Sequence, residues 1–157
     1  MNKINKKYKV LIILGVIVLA FFLLSIRKVP KDLTYGVSFS KFHSDELKLD
    51  WREVYLSLLN DLGVKNFRFS AHWPNTEPKD GKFNFSELDF QMDQARSHDA
   101  SVILAVGRRL PGWPECHVPE WAQELSYEEQ KQKILRLIET VVNRYKDYDN
   151  IKYWQVE

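Results

Sequence analysis

An α/β domain with a parallel sheet is the fold class the sequence predicts, and three observations predict it. From residue 35 onward, short β-rich segments alternate with stretches whose apolar residues recur at three- and four-residue spacing. No hairpin turn joins any two of the strand segments, so consecutive strands need crossover helices and parallel pairing. Ahead of this region lies an uncharged run at 10–26, VLIILGVIVLAFFLLSI, with no polar face.

That run is expected to be a transmembrane signal anchor. At a rise of ~1.5 Å per residue it would extend roughly 26 Å, near the short end of what crosses a hydrocarbon layer of ~30 Å. Lys3, Lys6, Lys7 and Lys9 precede it and Arg27, Lys28 and Lys31 follow it, which slightly favours an inside amino terminus. Residues 1–9 then read as a cytoplasmic basic segment and 27–34 as a stalk. The rest is expected outside, in a single-pass protein of the cell membrane. FFLLSIRKVP offers no small-x-small cleavage site, so an uncleaved anchor is preferred over a removed signal peptide or a buried helix.

The first strand is YGVSFS, Tyr35 to Ser40. Asp50 caps a helix in which Trp51, Val54, Tyr55, Leu58, Leu59 and Leu62 share one face, and Gly63 ends it. A second strand, Lys65 to Ser70, runs into a loop punctuated by Pro74, Pro78 and Asp80-Gly81. The next helix starts at Ser86, with Asp89 three residues on as in a capping box, and aligns Leu88, Met92 and Ala95. SVILAVG, 101–107, has the continuous apolarity of a strand buried on both faces. After a proline-rich stretch from Pro111 to Pro119, Ser126 and Glu129 start a helix carrying Ile134, Leu137, Ile138, Val141, Val142 and Tyr145. Asn150 turns the chain into a fourth strand, IKYWQVE. Such consecutive units build either a doubly wound sheet or a barrel, and periodicity does not choose between them.

Charge excludes some functions. Seven of the 23 basic residues and none of the 21 acidic ones lie in 1–31, so the net charge of +2 conceals a mildly acidic remainder. A nucleic-acid partner has no electrostatic support. His43, His72, His98 and His117 lack metal-ligand spacing, and no glycine-rich phosphate loop is present, so neither metal nor cofactor is expected. Cys116 is the sole cysteine and makes no intramolecular disulfide.

The carboxyl ends of parallel strands converge on one face, and the residues there are candidates for chemistry. Arg68 alternates with Phe67 and Phe69, which sends its guanidinium to the face opposite the aromatic rings. It either organises a site or forms a structural pair with a carboxylate. Trp73 and Trp113 are loop tryptophans, suited to stacking on sugar rings or to plugging the end of the sheet. His72 either donates to a substrate hydroxyl or is structural. Arg109 follows strand three, and Glu157 stands near the end of strand four as a weak catalytic candidate.

Three segments carry a family resemblance. FRFSAHW at 67–73, EPKDGKFNF at 77–85 and YWQVE at 153–157 resemble the retaining glycoside hydrolases of the large (β/α)8-barrel clan, cellulase-like and β-galactosidase-like. The resemblance covers Tyr35 to Glu157 and implies the N-terminal half of a TIM barrel, strands one to four, as a partial catalytic domain. It implies that Arg68 hydrogen-bonds the nucleophile and that His72 and Trp73 line the sugar site. Arg109 and Trp113 fall where members vary. The acid/base would belong to an Asn-Glu pair after Glu157, and the nucleophile to strand seven. These residues by themselves are therefore expected to be inactive, whereas the parent protein would hydrolyse β-linked oligosaccharides, polysaccharides or glycosides by two carboxylates ~5–5.5 Å apart. A non-catalytic, membrane-tethered carbohydrate-binding or interaction domain is the alternative.

Overall fold

The structure is a computed structural model that describes residues 6–25, 33–112 and 116–157. It divides into two units, residues 1–33 and 34–157.

The described residues of the first unit form one helix, α1 (Lys6–Ser25). Among the described residues no helix is long and apolar enough to cross a membrane. The reason is in its ends: Lys6, Lys7 and Lys9 fall inside the helix, and Ser25 closes it. The uncharged part from Val10 is then about 16 residues, rising roughly 24 Å, short of the ~20 residues and ~30 Å that a crossing needs. This corrects the expected transmembrane anchor over 10–26. The membrane partner, the cell-membrane localisation and the extracytoplasmic placement that followed from it are corrected with it. Residues 1–5 and 26–32, which include most of the expected stalk, lie outside the described residues.

The second unit is a parallel sheet of four strands in the order β1 (Val37–Ser38), β2 (Asn66–Ala71), β3 (Ser101–Val106) and β4 (Ile151–Val156). Between them run α2 (Lys41–Glu46), α3 (Trp51–Asn60), α4 (Trp73–Thr76), α5 (Ser86–Ser97), a 3₁₀ turn (Glu120–Ala122) and α6 (Tyr127–Tyr145). A doubly wound sheet reverses its strand order part-way, with helices on both faces. Here the order is sequential, and α3, α5 and α6 share one core with one face of the sheet. The fold is thus an open, four-stranded half of a (β/α)8 barrel.

Period-two alternation builds the core. Phe67, Phe69 and Ala71 of β2 are buried with Val102, Leu104 and Val106 of β3, and Trp154 of β4 packs against them. Tyr55 of α3, Met92 of α5 and Leu137 and Tyr145 of α6 meet them from the helical side. The opposite face carries Arg68, Ile103 and Tyr153 in register, with Ser70, Ala105 and Gln155 in the row above. Tyr153 is 69% exposed there.

The caps are local and mostly as the sequence predicts. Asp50 accepts from the amides of Arg52 and Glu53 at 2.8 and 3.3 Å, and Ser126 and Glu129 form a full capping box. At α5 the cap is Phe85 instead of Ser86, because Asn84 Oδ1 takes the Ser86 amide at 3.1 Å and draws Ser86 into the first turn. The first strand shortens to two residues because Ser40 caps α2, a helix the sequence did not announce. Glycine is obligatory where β3 ends beside β4: Gly107 has φ +147°, and a Cβ there would stand 1.7 Å from the carbonyl oxygen of Glu157.

Candidate functional site

The carboxyl ends of β1 and β2 open into a cleft of about 570 Å³. Its walls come from three connections. The segment after β1 supplies Ser40, Phe42, His43 and Glu46; β2 supplies Arg68 and Ser70; the loop after β3 supplies Pro111, Gly112 and His117. A second hollow of about 390 Å³ lies lower on the open face, between Tyr35, Ile103 and Tyr153, and Arg68 borders both. The upper cleft is the candidate site, since the loops of this architecture converge there.

Arg68 is half-buried and donates from Nε to Ser38 Oγ at 3.0 Å. Among the described residues no carboxylate lies within ion-pair distance of it, so none of them supplies the structural carboxylate partner considered from the sequence. A guanidinium has five N–H donors in a fixed fork that matches a carboxylate, and one neighbouring hydroxyl leaves that capacity unspent.

His72 and Trp73 turn away from the cleft. His72 is 5% exposed and precedes α4, with its ring edge-on to Phe42 and His117 at centroid distances of 4.7 and 4.9 Å. Burial, with His117 beside it, holds its pKa down at about 3, so it is neutral near pH 7. Trp73 is fully buried: its indole N–H donates to Glu77 Oε2 at 2.9 Å, and its ring meets Trp121 edge-on at 5.5 Å. It seals the layer between sheet and helices and offers no face to a sugar. Arg109 is exposed on the loop after β3, where its backbone bridges to Cys116. Trp113 lies outside the described residues. Glu157 is exposed and accepts from the side chain of Gln155, while its backbone continues the ladder to Val106 and Arg108 at 3.2 and 2.8 Å.

Two features were not legible beforehand. Glu77, within the EPKDGKFNF segment, is a fully buried carboxylate. Besides Trp73 it accepts from the Gly81 amide at 2.7 Å and from Arg136 of α6, which also reaches Asp80 at 2.6 Å. This network ties the loop after β2 to α6. The other feature is His117, stacked on Phe42 at 4.6 Å and 11°. Burial lowers its pKa, which Glu46 partly opposes. No group of His, Cys, Asp and Glu among the described residues is arranged to hold a metal ion.

The family model described as glycosyl hydrolase family 10 matches residues 35–157. Among solved structures, a polyextremophilic β-galactosidase from the Antarctic haloarchaeon Halorubrum lacusprofundi aligns with a TM-score of 0.58 at 20% identity, over 79% of this chain and 21% of that one. A GH5_18 protein from Streptomyces cattleya, in complex with GlcNAc, aligns with a TM-score of 0.58 at 16% identity, over 76% and 32% of the two chains. Another GH5_18 protein, from Bifidobacterium longum subsp. longum, gives 0.57 at 17% identity, over 78% and 32%. At these identities the likeness is one of fold. The chain spans about a fifth to a third of the length of these structures.

Proposed function

The chain belongs, over residues 35–157, to glycosyl hydrolase family 10, and on that premise we propose that the barrel whose first four strands it supplies hydrolyses the O-glycosidic bonds of a β-linked carbohydrate with retention of configuration. The observation that carries this reading is Arg68: a cation lining the cleft whose one polar contact among the described residues is Ser38, on the face that a closed barrel turns inward.

In this reading Arg68 hydrogen-bonds a carboxylate from the facing strands, keeps it ionised and aims it at the anomeric carbon. That carboxylate attacks, and a second carboxyl protonates the departing oxygen and then draws a proton from the incoming water. Glu157 is the residue before the acid/base, and the β3–β4 ladder through Val106 and Arg108 sets the direction in which the chain leaves β4. Residues 1–157 alone are accordingly inactive.

Proton NMR of the first-formed product from 4-nitrophenyl β-glycosides tests the reading. The full-length gene product is expected to release the β-anomer first, and a polypeptide of residues 1–157 to release nothing. Initial release of the α-anomer, or turnover by residues 1–157 alone, overturns it.

A further inference from the structure

His117 is held in place but has hydrogen-bonding capacity that no described residue uses. Its ring lies flat on Phe42 and edge-on to His72, so the ends of the connections after β1, β2 and β3 meet in one aromatic cluster. Neither of its ring nitrogens has a hydrogen-bond partner among the described residues. It also borders the cleft, whose lining includes Arg68 and Ser70. A neutral imidazole presents one donor and one acceptor, and the stack on Phe42 fixes the plane in which they point.

We propose that His117 is a specificity-determining residue that hydrogen-bonds one hydroxyl of an uncharged sugar ring in the cleft, with Phe42 as the residue that positions it. The proposal rests on the glycoside hydrolase reading above and goes on to name a recognising group within the site. The lining favours an uncharged ligand. Arg68 contributes one positive charge and Glu46 one negative, and the other polar groups are serine hydroxyls and imidazoles. Burial keeps His117 below the ordinary histidine value, so near neutral pH it serves as a hydrogen-bonding group without attracting an anion. The tryptophan platform that the sequence suggested at residue 73 is unavailable because that ring is buried, which leaves the Phe42–His117 stack as the aromatic wall of the cleft among the described residues.

The test measures KM and kcat of the full-length gene product on 4-nitrophenyl β-glucoside, β-galactoside, β-mannoside and β-xyloside, and on monodeoxy forms of the best of them. His117→Phe keeps a ring for the stack and removes both hydrogen-bonding atoms. It is expected to raise KM roughly 3–10-fold, the size of one neutral hydrogen bond, with kcat changed much less. The penalty should vanish on one monodeoxy substrate, the one lacking the hydroxyl that His117 holds. His117→Gln, which keeps a donor and an acceptor, should recover part of the loss, and Phe42→Ala should reproduce the loss with His117 intact. Turnover by the parent with no effect of His117→Phe, or with an equal penalty on every deoxy substrate, overturns this inference and leaves the glycosidase reading standing. Loss of the fold in both His117 variants overturns it in favour of a purely structural role. No turnover of any β-glycoside by the parent overturns the glycosidase reading first, and this inference with it.

Discussion

Acid should destabilise the sheet domain through His72 well before its carboxylates are protonated. An unfolded-chain histidine titrates near 6.5, whereas burial holds His72 at about 3 in the fold. Between those values the unfolded state binds more protons than the folded one, so stability present above pH 6.5 is lost as the pH falls toward 3. The slope approaches ~1.4 kcal/mol per pH unit, and between pH 7.5 and 4.5 the loss assignable to His72 is about 3 kcal/mol. Stopping at pH 4.5 keeps most of the effect apart from Asp89, whose carboxyl is held down by Arg144 and Tyr145 against the opposing effect of burial and contributes the same sign only lower in pH. His117 is also shifted down but is half-buried, so its share is smaller. The assay is urea unfolding of the 157-residue chain and of His72→Phe, which keeps a ring beside Phe42 without a titrating group. As the pH falls from 7.5 to 4.5, the parent should lose about 3 kcal/mol more than the variant. Parallel losses in the two proteins would refute the reasoning.

Three further outcomes follow from packing. Gly107→Ala puts a Cβ onto the Glu157 carbonyl and should unpair the end of β4, read as fast amide exchange at Arg108 and Glu157; protection equal to that of the parent would show the backbone tolerating the change. Arg136→Met leaves the buried Glu77 carboxylate without its cation and should cost about 3 kcal/mol in urea unfolding, whereas a cost under ~1 kcal/mol would mean that Trp73 and Gly81 satisfy it alone. Trp73→Phe keeps the ring and removes one donor to that carboxylate. It should cost about 1–3 kcal/mol at unchanged near-neutral solubility, and no cost would refute the hydrogen bond's contribution.

What was legible in the sequence follows from which interactions are local. The alternation of Phe67, Arg68 and Phe69 reports a two-residue period, and the structure sorts those side chains to opposite faces. Ser126 and Glu129 are three residues apart and close their capping box within one turn. The choice of half-barrel over doubly wound sheet needed the strand order, which no short window contains. Trp73 is instructive in the other direction: as a loop tryptophan beside a histidine it suits a sugar platform, yet α4 begins at that residue and turns its ring onto Trp121 and Glu77. Phe42 and His117 meet across three strand-helix units, so their stack leaves no spacing signal. Residues 10–26 misled because a composition window ignores where helix ends fall, and the described helix draws the lysines in.

The most direct test of the central claim is Arg68→Ala in the full-length gene product, with thermal unfolding and turnover of a 4-nitrophenyl β-glycoside measured on the same samples. Because Arg68 makes one hydrogen bond to Ser38 and no ion pair among the described residues, the fold should lose at most about 1 kcal/mol. Turnover should fall at least ~100-fold, as expected when a group that orients a catalytic carboxylate is removed. Undiminished turnover, or a fall in activity matched by collapse of the fold, would contradict the assignment of Arg68 as the residue that organises a glycosidase site.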